Sequence, residues 1–166
     1  FGSKDFSVTW LFLGDSFTVS MAAKLTTLFL SIGQHAIVKA HVGWSTTSWL
    51  ADDRAETAIQ KYQPDFVVYV LGTNDVSEQV LFQQHVKQLL DIGSGAVVFW
   101  IGPFGSDDAE RGRWAEEVVE EQYIDGLSAC EGLPRGRDGL HLTDASYGVL
   151  AERLADELLE RAYYLY

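Results

Sequence analysis

The feature that most constrains this chain is an alternation of two patterns. Apolar runs of strand length at 8–13, 36–40, 66–71 and 96–101 are separated by segments whose apolar residues recur with helical period. In the first of these segments Met21, Leu25, Leu28, Phe29 and Ile32 fall on one helix face, and Gly33 supplies a stop. Further helices are expected over 47–62, closed by Pro64, over 77–90 and over 108–122. A last helix starting at Thr143 would bury Tyr147, Leu150, Ala151, Leu154 and Leu158, and a short fifth strand falls near 123–127. Strands that alternate with helices run mostly parallel, because parallel strands need crossovers and continuous apolar runs need cover on both faces. The expectation is therefore an α/β fold, and in such sheets chemistry sits at the carboxyl ends of the strands.

With 166 residues and a hydrophobic fraction of 47%, the chain suits one domain, 1–166, with a sizeable core. Its net charge of −12 repels nucleic acid and anionic membrane surfaces at long range, so a neutral or cationic partner is expected. Cys130 is the sole cysteine, which rules out an intrachain disulfide and a CxxC or Cys/His zinc site. No run approaches the roughly 20 apolar residues of a membrane helix. The chain starts with Phe1 and shows no basic start followed by an apolar run. It reads as a processed or excised domain, part of a larger polypeptide, with a lean toward a secreted setting.

Each of the first four strand ends carries glycine with small polar residues: "GDS", "HVGWSTTSW", "GTND" and "GPFGSDD". Turn chemistry alone favours such residues, but together they hold more. Ser16 offers a hydroxyl at a strand-to-helix turn, and "RDGLHLTDAS" offers Asp138 and His141 three residues apart. A serine nucleophile needs such a base and such an orienting carboxylate. Gly43, with no side chain, lets a backbone N–H approach a substrate, and the Asn74 amide can donate to the same point. With the Ser16 N–H these groups would form an oxyanion hole.

These residues resemble the SGNH hydrolases, the GDSL-type esterases and lipases, over nearly the whole chain. "FLGDSFT" resembles the first block of that family with its nucleophile at Ser16, and "VGWSTTSWL" the second with the oxyanion glycine at Gly43. "LGTND" resembles the third with the oxyanion asparagine at Asn74, and "DGLHLT" the fifth with Asp138 and His141. The resemblance implies a three-layer α/β/α, flavodoxin-like fold with a mostly parallel five-stranded sheet, acyl-ester hydrolysis, and no metal or other cofactor. The sequence departs from the family pattern in having Phe17 after the serine and Trp44 in place of a second glycine. The GxSxG elbow of the α/β-hydrolases is absent, since Thr18 stands where its last glycine would be.

Ordinary alternatives exist for each residue. Ser16 can cap the following helix, Asp15 reads as a turn or helix-start acid, and Asn74 with Asp75 can close a turn. His85 reads as lying on a solvated helix face and His35 as starting a strand, while His41 is a second-choice pocket residue. Trp10, Trp49, Trp100 and Trp114 read as packing aromatics. Trp44 and Phe104, in strand-end loops, are expected to line the substrate groove. The acidic segment 107–121 reads as a solvated helix.

The resulting expectation is a serine esterase that removes a short acyl group, acetyl foremost, from a neutral carbohydrate. The short chain leaves little room for a lid over a long acyl tail. A lipid or thioester acylhydrolase, and a non-catalytic carbohydrate-binding or adhesion module, are the alternatives.

Overall fold

A computed structural model describes residues 7–165, so residues 1–6 and 166 of the expected domain lie outside it. Strands β1 (Thr9–Gly14), β2 (His35–Ala40), β3 (Phe66–Val70), β4 (Val97–Ile101) and β5 (Tyr123–Ile124) form one sheet in the order β2-β1-β3-β4-β5. Every pairing is parallel. The helices are α1 (Ser16–Ser31), α2 (Thr46–Leu50), α3 (Arg54–Tyr62), α4 (Gln79–Ile92), α5 (Ala109–Val119), α6 (Gly126–Ala129) and α7 (Asp144–Tyr163). The fold is thus the expected α/β/α arrangement with flavodoxin-like strand order, parallel throughout rather than mostly so.

The strand period of two builds the layers. Along β1, Trp10 and Phe12 enter one core, where Met21, Leu25 and Phe29 of α1 and Leu150, Leu154 and Leu158 of α7 cover the sheet. Leu11 and Leu13 enter the opposite core with Trp49, Ala55, Phe82, Val86, Leu89 and Ala115. β1 and β3 are buried on both faces, which is why they read as unbroken apolar runs rather than alternating ones. Trp10 stacks on Phe66 with centroids 4.0 Å apart, tying β1 to β3 near the amino ends of the two strands.

Several boundaries differ from those expected. The helix expected over 47–62 is split, because Asp52 and Asp53 both adopt φ of 53° between α2 and α3. Aspartate tolerates this left-handed region better than most residues. Ile32 lies just past α1 and is exposed rather than on its buried face. The fifth run divides into the two-residue β5 and the start of α6. The fourth helix keeps regular geometry only over α5, with single 3-10 turns on either side. The stripe expected on α7 is buried at every named position.

This strand order also locates a crevice. From β1 the chain crosses to β2 on one side and then to β3 on the other, so the loops leaving β1 and β3 diverge at their carboxyl ends. Among the described residues, no helix is long and apolar enough to cross a membrane.

Candidate active site

The turn from β1 into α1 is built around close packing. A Cβ on Gly14 would lie 2.0 Å from Thr18 Oγ1, so only glycine lets the first turn of α1 fold against the strand end. Asp15 then caps α1, its Oδ1 accepting from the Phe17 N–H at 3.0 Å. The capping role open to Ser16 therefore falls to its neighbour. Ser16, nearly buried in the first helical turn, has its Oγ 2.8 Å from His141 Nε2.

Asp15 is itself unusual, because its Oδ2 is buried without a hydrogen-bond partner. Desolvation lifts its pKa to about 7; the Phe17 N–H opposes the rise and the negative charge of Asp75 adds to it. Between the unfolded value near 4 and this folded value, the unfolded chain has released the proton and the folded chain has kept it. Stability should fall as pH rises through that window and level off above it. A rise of some three pH units corresponds to roughly 4 kcal/mol. Asp15→Asn keeps an acceptor for the Phe17 N–H and removes the titration, so urea unfolding at pH 4.5 and 7.5 should show a flatter dependence in the variant. An unchanged slope would assign the effect to another group.

His141 comes from a tight loop before α7. Arg135 and Leu142 form an antiparallel bridge, Gly136 N–H donates to His141 O at 2.6 Å, and Arg135 Nη1 and Nη2 donate to the carbonyls of Leu140 and Phe104. Within this loop Asp138 Oδ2 lies 2.6 Å from His141 Nδ1, and its Oδ1 accepts from the Leu140 and His141 N–H groups, each at 2.9 Å. The His141 bond first, and then these two backbone donors, hold Asp138 at about 2, well below the ordinary carboxylate value. The pair stays partly open to solvent, with side-chain exposures of 41% for His141 and 53% for Asp138. Phe17 supports the imidazole from below, with ring centroids 5.1 Å apart and planes 21° apart, and rests in turn on Phe104 at 4.6 Å. The residue that departs from the family pattern thus acts as a shelf for the histidine.

The remaining candidate residues meet in the loops after β2 and β3. His41 N–H and Trp49 Nε1 both donate to Gly14 O at 3.3 Å, fastening the second strand-end loop to the first. Gly43 has φ of 79°, a conformation open to glycine, and is exposed. Asn74, also exposed, donates from Nδ2 to Trp44 O at 3.1 Å and retains a second amide proton.

Two supports for these loops escape sequence reasoning. Asp75 Oδ1 accepts from the Thr46 N–H at 3.0 Å and from the Thr46 hydroxyl, whose oxygen is 2.9 Å from His85 Nδ1. His85 therefore belongs to a network joining α4, α2 and the third strand end, and does not lie on a free helix face. Arg111 of α5 donates to the carbonyls of Gly72, Thr73 and Asp75 and pairs with Asp108. One guanidinium thereby holds the whole "GTND" loop.

Phe104 is not on the open surface. It is 1% exposed and packed in the core against Phe17, because its loop turns it inward, whereas Trp44 is half-buried beside Gly43.

No family model matches the sequence, and neither does any curated protein. Solved structures do match. A lipase/acylhydrolase from Enterococcus faecalis shares 20% identity over 93% of this chain and 96% of its own, with a TM-score of 0.74. A catalytic mutant of Axe2, an acetylxylan esterase from Geobacillus stearothermophilus, shares 15% over 92% and 95%, with a TM-score of 0.72. The psychrotrophic esterase EstA from Pseudoalteromonas sp. shares 14% over 93% and 98%, with a TM-score of 0.75. At these identities the likeness establishes a common fold.

Proposed function

We propose that this chain is a single-domain SGNH-type serine esterase acting on short acyl esters, with acetyl groups on carbohydrate as the leading substrate. The observation that carries the reading is the continuous relay from Ser16 Oγ through His141 to Asp138, with contacts of 2.8 and 2.6 Å. Ser16 attacks the ester carbonyl while His141 takes its proton at Nε2 and passes it to the leaving alkoxide. Asp138 holds the Nδ1 proton and stabilises the imidazolium. The Ser16 and Gly43 N–H groups and the free Asn74 amide proton bind the oxyanion. Water then repeats the sequence on the acyl-enzyme and releases the acid. The esterase and acylhydrolase names of the structural neighbours agree with an ester substrate, and Trp44 remains the one surface aromatic of the two expected to flank it.

A fluorophosphonate probe with p-nitrophenyl acetate as reporter tests the reading. Inactivation should be stoichiometric, with the adduct on Ser16 by peptide mass spectrometry; a protein that neither hydrolyses short esters nor takes the label overturns it.

The oxyanion assignment has its own test. Asn74→Ala should lower kcat by about 100- to 1000-fold with little change in KM. The thermal midpoint should fall only slightly, since one exposed hydrogen bond contributes about 1 kcal/mol. Asn74→Asp should be at least as damaging, because it puts a negative charge where the oxyanion develops. Full kcat with a lowered midpoint would return Asn74 to a purely structural role.

A further inference from the structure

Beside the proposed site lies a groove of about 390 Å³ whose walls include Lys39, His41, Trp44, Arg54, Lys61 and Tyr62. Three of the chain's 12 Lys and Arg residues thus converge on one groove of a protein whose net charge is −12. The manner in which they are held matters more than their number. Three cations outside the groove meet carboxylates: Lys24 meets Glu152 at 2.9 Å, Arg161 meets Glu157 at 2.7 Å, and Arg111 pairs with Asp108. In the groove each cation lies near an aromatic ring, and Arg54 also donates to Ser48 O at 3.1 Å and meets Asp52. Arg54 Cζ is 4.8 Å from the Trp44 ring centroid, and Lys39 and Lys61 Nζ are 5.3 and 5.1 Å from that of Tyr62.

A ring face positions a cation without cancelling its charge, as a carboxylate would. Neither Lys39 nor Lys61 forms an ion pair among the described residues. Asp52 is the one carboxylate in the lining, and it meets Arg54 only at 3.4 Å with its own side chain exposed. The two lysines, Lys39 foremost, also pull the Tyr62 hydroxyl below its ordinary pKa.

Trp44 connects the groove to the chemistry. Its ring forms a wall of the groove, its carbonyl accepts from Asn74, and it follows Gly43 directly. We propose that the groove binds an oxyanionic group, carboxylate or phosphate, carried by the same molecule as the scissile ester, so that the substrate class is an acylated acidic carbohydrate. This rests on the esterase reading, and it replaces the neutral carbohydrate expected from net charge.

Calorimetric titration with methyl glucuronide, glucose 1-phosphate and methyl glucoside, which carry no ester, tests the groove by itself. At low salt the charged sugars should bind about tenfold more tightly than the glucoside, and Lys39→Gln/Lys61→Gln should remove that preference. Glucuronide alone showing the preference identifies a uronate, and the phosphate alone a sugar phosphate. Equal affinity for charged and neutral sugars, or a preference that survives the double substitution, overturns the inference. Acetylated forms of the same sugars then test the link to catalysis. A higher kcat/KM on the charged ester, lost in the double variant, supports it, and equal values on charged and neutral esters overturn it. Charged sugars that bind as expected while no ester is hydrolysed would sink the esterase reading and leave the anion groove standing.

Discussion

Ser16→Ala is expected to lower kcat for ester hydrolysis by roughly a millionfold, the scale on which loss of a serine nucleophile acts elsewhere. The structure gives a reason to expect this without loss of fold. Ser16 sits inside the first turn of α1, the cap is supplied by Asp15, and the Oγ contact is to His141. Alanine is the best helix former, and His141 keeps its bond to Asp138. Turnover of p-nitrophenyl acetate, circular dichroism and the thermal midpoint, measured on one preparation, would separate chemistry from folding. A folded variant that turns over near the parent rate would refute the nucleophile.

Asp138→Asn should cost less, by a factor of about 100 to 10,000 in kcat. The carboxylate fixes the proton of His141 on Nδ1, leaving Nε2 to accept from Ser16. An asparagine whose amide nitrogen faces Nδ1 would force the other tautomer, in which Nε2 carries a proton and cannot act as base. Partial solvent exposure of the pair softens the loss of charge, which is why the lower end of the range is included. Because the Asp138 pKa is about 2, the carboxylate stays ionised across the working range. The acid limb of the parent's kcat/KM profile should therefore not follow Asp138 until pH approaches that value. An unchanged rate in Asp138→Asn would leave a serine and histidine dyad, or another acid, in charge.

The parts of this molecule that were legible in the sequence are those written in local pattern. Runs such as "DFVVYVLG" announce a strand buried on both faces, and the stripe from Tyr147 to Leu158 announces a helix against a sheet. The candidate site residues could be named because each stands at a strand end or in a short loop with a distinctive neighbour, as in "GDS" and "DGLH". What escaped depends on partners distant in sequence. The polar stretch Gln83, Gln84, His85 looks solvated, and only the packing of α4 against α2 brings His85 to Thr46. Arg111 reads as one charge in an acidic helix until the fold sets it under three carbonyls 36 to 39 residues away. Phe104 misled for the opposite reason: its loop lies at a strand end, but burial against Phe17 outweighs a place at the rim. The apolar period also runs straight through Asp52 and Asp53, whose left-handed backbone breaks the helix without any change in hydrophobicity.

The contact between Ser16 and His141 spans 125 positions of chain, and α7, which follows His141, packs against α1, which begins at Ser16. Tyr147 of α7 anchors the histidine loop through the Leu142 N–H and touches Phe17 edge-on. On the proposed esterase reading, turnover reports that α1 and α7 have come together. During refolding, secondary structure should return ahead of activity, because closing so long a loop is entropically slow. On the same proposed reading, a growing chain would likewise stay inert until α7 has emerged and docked on α1.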